Sequence, residues 1–409
     1  MTDIATLRVL LGDVEVGILS RNRNDGTQFR FLTSYRERYP RPVLGQAFLD
    51  DLDRNYQTRA RVPAWFSNLL PEGPLRELVA NQVGVHSSRE FFLLARLGDD
   101  LPGAVRIMAK TTPDALDDDD GHEVLADAKG EPLDETDDWH FSLAGVQLKF
   151  SARRHDRGLT VPVSGRGGDW IVKLPDARFP GVPENEYATL SWARASGIAV
   201  PDIERVAVTD IDGLPDSLRH YPEPWALAIR RFDRGADGTR IHMEDFAQVL
   251  GLYPEDKYRR HNYETLANLI RALTGPADLA EFIRRLVFVV LSGNGDAHHK
   301  NWSLVYPDGV RAALSPAYDL VATVHYRFDD ALALNLAGSK RWQDVGLASF
   351  RRLAQRIGLD PDPLLEQVRA AVETIRGAWV AGSGEFGYDQ ATRASIERHF
   401  ARLPLARLR

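Results

Sequence analysis

Ser292-Gly-Asn-Gly-Asp-Ala-His-His-Lys-Asn-Trp-Ser-Leu-Val-Tyr306 is followed by Pro307-Asp-Gly309, Val310-Arg-Ala-Ala-Leu314 and Ser315-Pro-Ala-Tyr-Asp-Leu320. The stretch leaves a strongly apolar helix, marked by Leu279, Phe282, Ile283, Leu286 and Val290 at helical spacing, crosses a polar turn and enters a strand. Pro307-Asp308-Gly309 has the composition of a tight turn, and residues 310–314 are expected to return as the partner strand. The hairpin so formed carries Asp296 and Asn301 at its entry and Asp319 at its exit.

Three oxygen-bearing side chains at one end of a hairpin suit phosphoryl transfer. That reaction needs a carboxylate aimed at the attacking hydroxyl and oxygen ligands for Mg²⁺ bridging the phosphates. Asp296 and Asn301 stand five positions apart, the Asp-to-Asn spacing of the protein-kinase catalytic loop. On this reading Asp296 orients or deprotonates the hydroxyl, while Asn301 and Asp319 hold the metal. The spacing alone is weak, because Asp and Asn recur in turns where they bond their own backbone. The hairpin and the third carboxylate give it weight. His298 and His299 are adjacent and point apart, so a metal-bound histidine pair is not expected.

Working outward, phosphoryl transfer also calls for a lysine on a strand, fixed by a carboxylate from a helix. Lys173, in Trp170-Ile-Val-Lys-Leu174, is a cation inside an apolar strand; a solvent-facing edge lysine is the competing reading. The helix that follows, over 184–196, opens with Glu184 and Glu186, and Glu186 is the preferred partner. Trp225–Ile229 reads as another strand. From about Asp245 the pattern turns mainly helical, with further helices over 347–357, 364–380 and 390–400. Gly165-Arg-Gly-Gly168 sits between strands and reads as a hairpin turn, and no G-x-G-x-x-G loop is present. Near the N-terminus, Leu7–Leu11 and Val14–Leu19 alternate around Gly12-Asp13, a hairpin signature. A helix is expected from near Pro74 to Gly84, then one capped by Ser87-Ser88 carrying Phe91, Phe92, Leu94 and Leu97, then a strand over 104–108.

Between these parts lies an acidic run. Residues 113–138 hold twelve Asp/Glu against one Lys, a net −11, so the rest of the chain carries +4 of the overall −7. Such a run repels itself and reads as a solvated linker. The expected division is therefore an α/β module over 1–112, a linker over 113–138, a β-rich lobe over 139–235 and a helical lobe over 236–409. A near-neutral body argues against a stand-alone DNA binder. No apolar run reaches the length of a membrane span, no secretory signal is visible, and the chain has no cysteine, which together suit a cytoplasmic protein.

Across nearly its whole length the chain resembles the HipA family of toxin kinases. The segments that carry the resemblance occur in order: Trp65-Phe-Ser-Asn-Leu-Leu-Pro-Glu72, Leu94–Gly98, Gly103–Val105, Ser142-Leu-Ala-Gly-Val-Gln-Leu-Lys149, Ile171–Pro175, Asn185-Glu186, Arg231–Arg234, Gly293–Asn301 and Pro316–Asp319. The resemblance implies an α+β, bilobal protein-kinase-like (PI3/4-kinase-like) fold with an N-terminal α/β subdomain and a helical C-lobe. It implies that Ala144, Gly145, Val146, Gln147 and Lys149 cover the phosphates of ATP, that Lys173 contacts them, and that Arg230, Arg231 and Phe232 form the hinge against adenine. His298, Lys300, Asn301, Tyr318 and Asp319 would complete the nucleotide and Mg²⁺ site around catalytic Asp296. Ser142 would be an autophosphorylation site that switches the enzyme off. Two departures are the basic Arg230 in the hinge and Leu148 in the phosphate loop. The implied partners are a small helix-turn-helix, HipB-like antitoxin, operator DNA reached only through it, and a protein substrate such as an aminoacyl-tRNA synthetase. A catalytically idle co-repressor scaffold and a small-molecule or lipid kinase are the competing functions.

Overall fold

The computed structural model describes residues 5–110, 148–155, 158–161, 168–176, 178–214, 223–326 and 331–408. The architecture is α+β, with three sheets among these residues. The first, in the N-terminal module, runs β4-β3-β2-β1-β5 and is built from β1 (Thr6–Leu11), β2 (Val14–Arg21), β3 (Thr27–Phe31), β4 (Tyr56–Thr58) and β5 (Val105–Ala109). The expected β1–β2 hairpin forms, with Leu7 opposite Leu19 and Leu11 opposite Val14. Alternation sends Leu7, Val9 and Leu11 into the core. Helices Gly73–Val83 and Glu90–Leu97 follow. The serine cap expected for the second does not form: Arg89 stands at its N-cap, while Ser87 Oγ donates to Glu77 and Ser88 Oγ pairs with His86 Nδ1. Those neighbours took the hydroxyls first.

The second sheet runs β10-β7-β6-β8-β11-β9, with β6 (Lys149–His155), β7 (Gly158–Thr160), β8 (Trp170–Lys173), β9 (Ile203–Ala207), β10 (Ile211–Asp212) and β11 (Trp225–Arg230). Strand β11 shows why both faces are covered. Ala226 and Ala228 belong to the core of the N-terminal module, whereas Leu227 and Ile229 belong to the helical lobe's core. Period-two alternation divides one strand between two cores, small residues one way and large the other. Helix Val182–Ala195 lies on the second face, burying Leu190, Trp192 and Ala193.

The third sheet, β12-β13-β14, holds the decisive hairpin. β13 (Ser303–Tyr306) pairs with β14 (Ala313–Leu314) on one side and with β12 (His242–Asp245) on the other. The return strand is shorter than the expected 310–314. Asp308 accepts hydrogen bonds from the N–H groups of Val310 and Arg311 at 3.0 and 2.7 Å, which keeps those residues in the turn. Helices Tyr263–Leu273, Pro276–Ser292, Leu347–Arg356, Pro361–Gly382 and Gln390–Arg402 make the helical lobe. Among the described residues no helix is long and apolar enough to cross a membrane. The acidic stretch 113–138 lies outside the described residues, as do Ser142, Ala144, Gly145, Val146 and Gln147.

Candidate active site

Helix Pro276–Ser292, buried along most of its length, leads into the Gly293–Asn301 segment. It stops at Gly293, whose φ of +67° is left-handed and where a Cβ would meet Val324 at 2.6 Å; only glycine fits both demands. The chain turns as Asn294 Oδ1 accepts from the Asp296 N–H at 3.0 Å. Asn301 Nδ2 donates to the Asp296 carbonyl at 2.8 Å, which ties the two ends of the segment together and leaves Asn301 Oδ1 for other work. The Tyr258 hydroxyl donates to Asp296 Oδ1. Across the hairpin, Asp319 adopts a left-handed φ of +54°, a strain found where a side chain must be aimed.

Asp296, Asn301 and Asp319 line one cavity of about 420 Å³ together with Lys173 and Glu186. Lys173 Nζ donates to both Glu186 carboxylate oxygens at 2.7 and 2.8 Å and also to Asp319. The lysine is therefore a buried, paired cation and not a solvent-facing edge residue. Burial would lower its pKa, but the adjoining Asp319 and Glu186 charges outweigh burial and raise it. Asp319 moves the opposite way: burial would raise it, and Lys173 with Lys149 holds it low. Lys149 sits directly across the ladder from Lys173. Like charges opposite one another in a sheet repel, and burial, in spite of nearby Asp319, brings Lys149 down to about 8. Two cations paired across one rung at a cavity wall suit a polyanion.

His298 is buried edge-on against Tyr258, with ring centroids 4.8 Å apart. Burial, then the Lys257 charge, takes its pKa down to about 3, so the imidazole is neutral. The Tyr318 hydroxyl is 2.5 Å from Ser303 Oγ and donates to the Lys300 carbonyl at 2.8 Å, while its ring lies 5.6 Å from that of Phe232. Arg230, Arg231 and Phe232 all reach the cavity wall. The Arg231 side chain, however, turns away into a buried knot with Asp233 (2.8 and 2.9 Å) and Asp100 (3.1 Å), so only its backbone can serve a ligand. Arg234 joins the same two carboxylates, and Gly103 N–H donates to Asp233 at 2.7 Å. Lys300 lines the cavity with its ammonium directed to Asn68 and Glu72.

Sequence reasoning gave no role to Glu72, Asn68, Lys257, Tyr258 or Asp245, yet all five line this cavity. The signal for Asn68 and Glu72 was at hand in Trp65-Phe-Ser-Asn-Leu-Leu-Pro-Glu72, which carried the resemblance without a function. For metal, the Asp319 carboxylate and Asn301 Oδ1 are hard oxygen donors, which suits Mg²⁺ shared with phosphates. No group of three or more His, Cys, Asp or Glu among the described residues forms a self-sufficient metal cage.

Residues 141–379 match the family model described as the HipA-like C-terminal domain, and residues 7–108 match the HipA N-terminal domain. The chain belongs to the HipA family. The protein Y4dM of Sinorhizobium fredii is 41% identical over 416 residues, covering 100% of this chain and 99% of its own. The serine/threonine-protein kinase toxin HipA of Shewanella oneidensis is 26% identical over 360 residues, covering 80% and 78% of the two chains. The solved complex of Shewanella oneidensis HipA with HipB and operator DNA superposes with a TM-score of 0.71 over 98% of this chain and 96% of that one, at 21% identity. This last likeness speaks for the fold. In family terms, both halves of the cavity wall, Glu72 from the N-terminal domain and Asp296 from the C-terminal one, lie within the matched ranges.

Proposed function

We propose that this chain is an ATP- and Mg²⁺-dependent protein kinase that phosphorylates serine or threonine, the toxin half of a toxin–antitoxin pair. The observation that carries the reading is the convergence of Asp296, Asn301 and Asp319 from two ends of one hairpin on the Lys173–Glu186 pair in a single cavity. Its two walls are the lobes of a protein-kinase-like, PI3/4-kinase-like fold. Adenine would sit against Ile171, Ile229 and the hinge backbone at Arg230–Phe232, all of which line the cavity. Lys173 and Lys149 would bind the phosphates, with Ala144–Gln147 closing over them.

Asp296 accepts the proton of the substrate hydroxyl as its oxygen bonds to the γ-phosphorus and the bond to the β-phosphate oxygen breaks. Tyr258, by bonding one carboxylate oxygen, fixes the direction of the other. Neutral His298 packs beside Tyr258 and adds no competing charge. Held by Asn301 and Asp319, Mg²⁺ would supply charge neutralisation for the phosphates. The named partner in the Shewanella complex supports a HipB-like helix-turn-helix antitoxin, with operator DNA reached through it. An aminoacyl-tRNA synthetase as substrate, a cytoplasmic location and Ser142 as the autophosphorylated off-switch rest on the family resemblance.

The test is incubation of the pure protein with labelled ATP, Mg²⁺ and a host lysate, beside Asp296→Asn. Transfer by the wild type and a loss of at least about a thousandfold in the variant, with melting temperature kept, is expected. Near-normal transfer by folded Asp296→Asn would overturn the role of Asp296. Mass spectrometry on the same samples reads Ser142: phosphate in the wild type alone supports the switch, and its absence from an active kinase refutes it.

A further inference from the structure

Glu72 stands at the N-cap of helix Gly73–Val83, where a carboxylate normally accepts from the first free N–H groups, yet its side chain makes no cap bond. It leaves its own module instead. One oxygen receives Lys257 Nζ at 2.7 Å and the other lies 3.2 Å from Lys300 Nζ. Asn68, four residues earlier, receives the same Lys300 ammonium on its carbonyl at 3.1 Å and on its side-chain oxygen at 3.2 Å. Burial would raise the Glu72 pKa, but Lys300 and Lys257 hold it at about 2, so it is ionised throughout the working range. Glu90, a buried glutamate of the same module, behaves differently: it is engaged with Val62, Ser67 and Arg76, all within the module.

Each lysine that Glu72 grips is chain neighbour to a group of the transfer site. Tyr258, next to Lys257, donates to Asp296. The Lys257 carbonyl also accepts from the His299 N–H at 3.2 Å and lies 2.6 Å from His299 Nδ1. Asn301, next to Lys300, ties back to the Asp296 carbonyl at 2.8 Å.

We infer that Glu72 is a positioning residue for phosphoryl transfer, through which the N-terminal module sets the aim of Asp296 and Asn301. The inference rests on the kinase reading above and adds a role for the first module inside the chemistry. Loosening a catalytic group by a fraction of an ångström slows the reaction while leaving the ligand's other contacts intact, so the loss falls on kcat and not on nucleotide binding.

The experiment compares full-length Glu72→Gln with Arg61→Ala. The latter removes another ion pair between the module and the kinase body, Arg61–Glu255, at a half-exposed site away from the cavity. Turnover and KM for ATP, melting temperature and amide exchange of residues 297–301 are measured on both. Glu72→Gln is expected to lower kcat by about ten- to a hundredfold with KM for ATP changed less than about threefold. Exchange of 297–301 should be faster than in Arg61→Ala, which should match the wild type. A kcat for folded Glu72→Gln within about twofold of the wild type overturns the inference. If the wild type itself transfers no phosphate, the kinase reading fails separately. Amide exchange then decides alone: faster exchange of 297–301 in Glu72→Gln supports the positioning contact, and equal exchange refutes it.

Discussion

Asp100, Arg231, Asp233 and Arg234 form a buried cluster of two cations and two anions, and Lys149, Lys173, Glu186 and Asp319 form a partly buried one of the same composition. In the first, forked guanidinium groups share two carboxylates, Gly103 N–H satisfies a further lone pair, and the carbonyls of Leu101 and Gly103 take remaining donors. Of this set's buried side-chain atoms, only Asp100 Oδ2 is left without a hydrogen bond among the described residues. In the second, one ammonium takes both carboxylates, and Lys149 is left beside it with no ion pair among the described residues. That set faces open volume. Equal charge counts therefore say little about purpose; a cation at the edge of a cavity with no ion pair among the described residues says much more. The knot joins modules, and on the kinase reading the cavity cluster would serve phosphate.

Breaking the knot should have the largest effect. Arg231→Ala leaves Asp233 and Asp100 to Arg234 alone; burial would raise the Asp233 pKa and Arg231 is the main charge that keeps it at about 2, and removal of one partner of a buried pair costs roughly 3–5 kcal/mol. Urea denaturation of the full chain should show that loss. A loss below about 1 kcal/mol would make the knot no stronger than a surface pair.

A further buried carboxylate, Glu244, sharpens the comparison because it has no cation partner among the described residues. It accepts from Trp65 Nε1 and Gln46 N at 3.0 Å each and from the Tyr306 hydroxyl, and burial lifts its pKa to about 7 despite those bonds. The folded state thus holds the proton after the unfolded chain has released it. Stability from this group is complete below pH ~4.5 and is lost as pH rises through ~7, by roughly 3 kcal/mol at most. Melting curves of wild type and Glu244→Gln from pH 5 to 8 should show the variant gaining relative stability with rising pH. A pH-independent difference would refute the raised pKa.

The smallest expected effect has the opposite sign to the knot's. Lys149→Met removes one of two like charges facing each other across β6 and β8, and should raise stability by about 1 kcal/mol while weakening nucleotide binding. Melting with and without Mg-ATP reads both. A destabilised variant that keeps its ATP response would place Lys149 with the structural cations.

Much of this was legible in the sequence because it is local. The apolar helix ending at Gly293, the turn, and the hairpin returning Asp319 are each written in spacing and turn chemistry. Lys173 stood out as a cation in an apolar strand, and Glu186 as the nearest helical carboxylate. What could not be read was contact between distant segments. Glu72 and Lys257 lie 185 positions apart and Asp100 and Arg231 lie 131 apart, and no periodicity links them. Strand β12 escaped for a similar reason: His242–Asp245 is short, and its partner β13 comes about 60 residues later.

The division of β11 between two cores bears on how the protein is made. The N-terminal module ends with β5 at Ala109, but the apolar cluster it belongs to also takes in Phe150, Val172, Ala226 and Ala228. A nascent chain emerging from the ribosome must add about 120 further residues before β11 exists, on the order of ten seconds of synthesis. Throughout that interval one face of the module is greasy and uncovered. The module is first out, and its apolar face is closed only when β11 arrives.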